Sequence, residues 1–330
     1  MANQCLYGRV LDQDAMHKAQ GDCTIAYPQS NAMGSGDLPS LTHTTTVKPA
    51  PAKPNYSGLK GLTPGLSPWR DSTQGSFGTV TQSPRPDWHY GDGATEGAVD
   101  LSITPHIEID PFAEGRPMFS NYALMVSAIV PRPIGLVSTL SIDGRPNLAP
   151  FSYFQVVDHN PPMFVVGFAG RAGASKDTLT NLEATGECTI NLVSEHMIEA
   201  ASECSIDAPF GVSEWDICGL QQAASTVVRP ARVQESVFSI EGKLVKIVDY
   251  DRKSVGSPGR LGIIEGVRFW AREDAIDEQR KNVDLNVLRP VGQLGGISYS
   301  MTTETFELPR TNWATASETK ELKESLGQKQ

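Results

Sequence analysis

The run from Val130 to Thr178, VPRPIGLVSTLSIDGRPNLAPFSYFQVVDHNPPMFVVGFAGRAGASKDT, decides the fold. Its first apolar stretch, Ile134 to Leu140, reads as a strand. Asp143-Gly144 follows, a dipeptide that tolerates the positive φ of a tight hairpin. Asn147 to Val157 reads as a second strand, interrupted by Pro150. The Pro161-Pro162 turn then leads into a third strand, Met163 to Phe168. Ser175-Lys176-Asp177-Thr178 has the composition of a helix start. Such a start presents unpaired N–H groups and partial positive charge. Three strands that end there can hold a flat ligand carrying a phosphate.

Downstream the same strand-rich pattern continues. Lys176 to Thr185 reads as a short helix with Leu179 and Leu182 on one face and Gly186 as its stop. Glu187 to Val193 is expected as a strand, Glu195 to Cys204 as a helix, and residues 206–220 as a loop. Thr226 to Val233, Ser236 to Val248 and Leu261 to Trp270 are strands by their β-branched and aromatic content. Short strands at regular spacing with two helices between them predict an antiparallel barrel, and they exclude a βαβ sheet. The fold class is mainly β, with the barrel over residues 119–309.

Upstream the chain changes in kind. Between Pro28 and Pro86 stand nine prolines and seven glycines, with few aliphatic residues. That composition buries too little apolar surface to offset chain entropy, so residues 1–87 are expected to be a disordered Pro/Gly-rich extension. Residues 88–118 read as an irregular lead-in and residues 310–330 as a polar tail.

Composition excludes several classes. The net charge of −10 argues against a nucleic-acid partner, which needs clustered Lys and Arg. Apolar runs such as Met163 to Ala169 fall far short of a membrane span. Asp12, Asp14 and Asp22 argue against a transit segment, and no apolar core marks a signal peptide. The five cysteines are odd in number and none forms C-x-x-C, so reduced thiols in a cytoplasmic protein are expected, without a zinc site. The six histidines show no metal spacing, and no G-x-S-x-G elbow supports a serine hydrolase.

Each candidate site residue also has an ordinary structural explanation. Ser175, Lys176 and Thr178 suit a phosphate, yet capping and solvation account for them too. Asn147, Ala149, Pro150, Phe151 and Ser152 form a strand that a proline makes irregular. Its free N–H groups can meet a flat ring, or the strand is an edge blunted against aggregation. Ser138 and Thr139 can face the pyrimidine side of such a ring, or they are two β-formers on a polar face. Arg132, held between Pro131 and Pro133, is at least as well explained as a surface arginine on a rigid turn.

Taken in order, PRPIGLVST, NLAPFSYF, Lys176-Asp177-Thr178 and Leu294-Gly295-Gly296 resemble the flavin reductase-like family, and the resemblance covers roughly Trp88 to Trp313. It implies a Greek-key split barrel, FMN as cofactor, NAD(P)H as electron donor and a homodimer with flavin near the subunit interface. It would place Ser138, Thr139, Asn147, Ala149, Pro150, Phe151 and Ser152 along the isoalloxazine, and Ser175, Lys176 and Thr178 at the phosphate. Gln293 departs from the family, which usually has a basic residue there. The implied reaction is hydride transfer from nicotinamide to flavin N5, a step that needs no protein acid or base. A monooxygenase that accepts the reduced flavin is a possible partner. Two alternatives stay open: an FMN enzyme acting on a small organic substrate, and a non-catalytic electron carrier.

Overall fold

The computed structural model describes residues 79–94, 105–170, 175–209, 212–250 and 259–327. Most of the expected N-terminal extension, up to residue 78, lies outside the described residues.

Seven strands form the main sheet: β1 (Gly135–Leu140), β2 (Pro146–Phe151), β3 (Phe154–His159), β4 (Pro162–Phe168), β5 (Glu187–Leu192), β6 (Phe238–Asp249) and β7 (Arg260–Ala271). Their spatial order is β2-β1-β5-β6-β7-β4-β3, and every neighbouring pair is antiparallel. The two edge strands, β2 and β3, are consecutive in sequence, with only Ser152 and Tyr153 between them. One edge of the sheet is therefore covalently tied to the other, and the sheet curls into a barrel with a split between β2 and β3. The sequence reading of one strand over Asn147 to Val157 misses this break.

Strand alternation fills the barrel. Val137, Phe151, Phe154, Phe164, Val166, Phe168, Ile190, Ile240 and Ile264 meet in one buried cluster. Leu179 and Leu182 join it from α2 (Asp177–Thr185), which closes one end. Each such side chain contributes roughly 1.5–3 kcal/mol by leaving water. Gly186 ends α2 in the left-handed region, at φ 70°, where a Cβ would be strained. At Gly242 the reason is close approach: a Cβ there would stand 2.6 Å from Ile264 Cγ2.

The opposite face of β1 and β2 carries a second core. Ile134, Leu136 and Leu148 pack against Met197, Ala201, Cys204, Trp215 and Leu220. The latter come from a 3-10 turn at Glu195–Met197 and two short helices, Ile198–Glu203 and Glu214–Cys218. The second of these interrupts what the sequence suggested was a loop. A further helix, α1 (Met118–Ala128), precedes the barrel. Val291–Gln293 pairs antiparallel with Arg132–Pro133 and with Tyr299–Met301.

Three other differences have local causes. The segment Thr226–Val233 is not one strand; only Arg232–Val233 pairs, with Gln222–Ala223. Its β-forming residues spend their backbone donors on a carboxylate instead. Glu241, fully buried on β6, accepts from Thr226 N (2.9 Å), Val227 N (2.6 Å), Val228 N (3.0 Å) and Trp270 Nε1 (2.6 Å). Thr79–Thr81 pairs parallel with Glu304–Phe306, ahead of the Trp88 boundary. The segment after Pro309 forms two short helices, Trp313–Ala316 and Lys320–Gly327; the first is capped by Asn312, whose side chain accepts the Ala314 N–H at 2.8 Å.

Burial alone would raise the pKa of Glu241, but its N–H donors outweigh that and bring it down to about 2. The sign follows: its stabilising contribution is whole above the ordinary value of 4.5 and is lost as pH falls through about 2. Urea unfolding should show this acid-side slope. Glu241→Gln should cost at least ~2 kcal/mol at neutral pH and flatten the slope; an unchanged slope would assign the acid lability elsewhere.

Candidate functional site

Two of the motifs singled out in the sequence meet in space. Thr139 on β1 lies opposite Asn147 on β2, and Asn147 Nδ2 donates to Thr178 Oγ1 at 3.0 Å. Thr139 Oγ1 accepts from Asn147 Nδ2 (3.3 Å) and from Asn181 Nδ2 (3.2 Å). All four residues are buried. This network docks the start of α2 against the inner side of β2. Ser141, Arg145, Pro146, Asn147, Asp177, Asn181 and Val212 line a small cleft beside it.

Lys176 is the N-cap residue of α2, in extended conformation, and its own side chain does not cap the first turn. Its ammonium lies 5.7 Å from the centroid of the Phe151 ring, within cation–π range. Ser175 is exposed; the residues just before it, 171–174, lie outside the described residues. A helix start that carries a lysine suits a phosphate group. Asp177 on the first turn works against an anion and in favour of the helix dipole.

The candidate residues do not share one face. Thr139, Asn147, Ala149 and Phe151 alternate onto the barrel side, with Ala149 packed against the barrel cluster. Ser138 and Pro150 alternate, with Leu136 and Leu148, onto the opposite side. Ser152 lies in the β2–β3 connection, where its Oγ accepts from Arg132 Nε at 3.4 Å.

The expectation that β2 offers free N–H groups is corrected by its register. Leu148 N–H points off the open edge, donating to Glu214 Oε2 at 3.0 Å. By the two-residue repeat, Pro146 and Pro150 share that edge, and proline has no N–H. The open edge of β2 thus presents carbonyls and no unclaimed donor.

Arg132 is also corrected: it is a buried tie rather than a surface group. Its Nη1 donates to Val126 O (2.6 Å) and Ile129 O (2.7 Å), the last carbonyls of α1, and Nη2 donates to Leu294 O (2.9 Å). Gln293, also buried, pairs with Arg132 in the small sheet. His159 and His196 are exposed, and His196 Nε2 lies 3.0 Å from Glu235 O. Burial pushes the Cys188 thiol up to about 12. Glu214 and Asn181, both in the site's framework, belong to no motif, so residue spacing could not reveal them.

The comparisons with known proteins bear on the family and the fold. A flavin reductase like domain model matches residues 126–285. An uncharacterized protein of Aquifex aeolicus is 37% identical, over 54% of this chain and 88% of that protein. The crystal structure of nitrilotriacetate monooxygenase component B from Bacillus cereus superposes with TM-score 0.58 at 29% identity, covering 62% of this chain and all of that one. The 2-nitrobenzoate 2-nitroreductase of Pseudomonas fluorescens superposes at 0.55 with 30% identity, covering 63% and 98%. Split β-barrel and flavin-linked redox chemistry define the class, and this chain belongs to the flavin reductase-like family. Among the described residues no helix is long and apolar enough to cross a membrane, and no cluster of His, Cys, Asp or Glu is placed to hold a metal.

Lysine has one compact charge and cannot span the three carbonyls that Arg132 joins. Arg132→Lys should therefore cost roughly 2–3 kcal/mol in urea unfolding. Wild-type stability in that variant would show that the tie contributes nothing.

Proposed function

We propose that this protein is an FMN-binding oxidoreductase that takes electrons from NAD(P)H, with the phosphate at the start of α2 and the ring against β2. The observation that carries it is the Asn147–Thr178 hydrogen bond, which sets a lysine-bearing helix start against β2. Bound FMN would supply the redox chemistry, accepting hydride from the nicotinamide at N5.

The chain's own residues then have separate tasks. Lys176, the first N–H groups of α2 and the Ser175 hydroxyl face the phosphate end, while the buried Thr178 holds that helix start in place through Asn147. Ala149 is small and only half-buried, so a planar ring can approach β2 there. Phe151 supports both the ring and the Lys176 stem. The buried Thr139–Asn147–Asn181 network keeps that surface from shifting. Ser138 and Pro150 contribute backbone atoms only, because their side chains turn the other way. No general acid or base is assigned among the described residues: His159 and His196 are exposed, and Cys188 and Cys204 are buried.

A homodimer in which a second copy covers the ring is supported by the exposed apolar surface of the α1 region, where Phe119, Leu124, Met125 and Ile129 stand open for that contact. Use of the reduced flavin by a separate monooxygenase is supported by the likeness to nitrilotriacetate monooxygenase component B. A second reading, direct reduction of a small organic compound, is favoured by the likeness to 2-nitrobenzoate 2-nitroreductase.

The deciding experiment is an absorbance spectrum of purified protein with FMN, followed by anaerobic NAD(P)H. Bleaching of many equivalents of free FMN supports the reductase. Bleaching of bound FMN alone, reversed by a nitroaromatic compound, supports the second reading, and no bleaching defeats both. Lys176→Ala should weaken FMN about ten- to a hundred-fold and barely affect riboflavin, since a charge-assisted contact contributes roughly 1.5–3 kcal/mol. Equal loss for both ligands would place the phosphate elsewhere.

A further inference from the structure

Glu214 belongs to no recognised motif, yet it controls the one donor on the open edge of the site strand. Pro146, Leu148 and Pro150 share that edge, and only Leu148 has an N–H. Its N–H crosses 66 residues of sequence to reach Glu214 Oε2 at 3.0 Å. The glutamate is 7% exposed and sits at the start of a helix packed over the outer core.

A carboxylate is a costly acceptor for such a place. Burial raises its pKa, and the charge of Asp177 pushes the same way, against the Leu148 bond that lowers it. Leu148 is fully buried, so its N–H needs a protein acceptor, and leaving it unmet would cost about 1–3 kcal/mol. What a buried carboxylate adds is a short-range, directional, charge-assisted bond that fixes one backbone against another. The residues flanking Leu148 are Asn147 and Ala149. Both turn inward, and Asn147 is bonded to the start of α2.

We propose that Glu214 is a positioning residue for the flavin site: by holding the Leu148 N–H it sets Asn147 and Ala149 in the place where the ring binds. This inference rests on the FMN reading above. Glu214 touches the strand from behind and takes no part in the chemistry. Its effect falls on the ring, which FMN and riboflavin share, and not on the phosphate.

Three variants of the full chain test it: Glu214→Gln keeps an acceptor of the same reach, Glu214→Leu removes the acceptor, and Glu214→Asp keeps the charge but is one methylene too short. Dissociation constants for FMN and riboflavin come from flavin fluorescence, and amide exchange is followed for the peptide containing Leu148. The Gln variant should bind both flavins within about three-fold of wild type. The Leu and Asp variants should lose about ten-fold or more for both flavins alike, with faster exchange at Leu148. The Asp variant keeps the test open if the Leu variant fails to fold. Wild-type affinity in a folded Leu or Asp variant overturns the proposal, as does a Gln variant no better than Leu. Loss confined to FMN overturns it too, by placing the effect at the phosphate. A wild-type protein that binds neither flavin overturns the FMN reading itself.

Discussion

Two residues, Ser152 and Tyr153, separate the strand at one edge of the main sheet from the strand at the other. A flat seven-stranded sheet would place its edges about 29 Å apart, given the ~4.8 Å strand spacing. Two intervening residues, three Cα–Cα steps, span at most ~11 Å. The sheet therefore has no choice but to curl, and the right-handed twist of strands makes a barrel the accessible solution. Everything inside follows from that closure. Val137, Ile190, Ile240, Ile264 and Val166 come from five different strands, and only a curled sheet brings them into one core.

Closure by a covalent link is not closure by hydrogen bonds. Gly167 N–H reaches Tyr153 O at 2.7 Å, which extends the β4–β3 pairing by one residue; no ladder joins β2 to β3, and each keeps an open edge. An open edge inside a folded protein is either covered or a hazard. On β2, two prolines and Glu214 dispose of the outward N–H groups, while α2 closes the inner side. The same arrangement leaves the backbone carbonyls of β2 and the start of α2 next to each other, so the proposed flavin site falls beside the split that the chain connection forces.

Much of this was legible because the signals are local. Leu179, Leu182 and Gly186 announce α2, and the β-branched runs of β6 and β7 announce a long hairpin. The start of that helix at Lys176-Asp177 was readable for the same reason. Where the sequence misleads, the competing partner is remote. Val227 and Val228 look like strand residues, but Glu241, some 13 residues on, captures their amides. Arg132 looks like a surface group until Leu294, 162 residues away, supplies a carbonyl. The break at Ser152-Tyr153 contains no glycine or proline, so no turn chemistry marks it. Its cause is the topology of the whole sheet.

The reach of Arg132 bears on how the chain is made. Synthesis runs from the N-terminus at about 5–20 residues per second. The segment from α1 to β4 therefore exists for roughly 6–25 seconds before Leu294 does. During that interval the guanidinium has its α1 carbonyls but not its third, and for much of it β5 lacks β6 and β4 lacks β7. A nascent barrel cannot seal itself in the order in which it is translated. Its exposed apolar strands must wait for the last third of the message, which makes the unfinished chain, rather than the finished one, the form most in need of a chaperone.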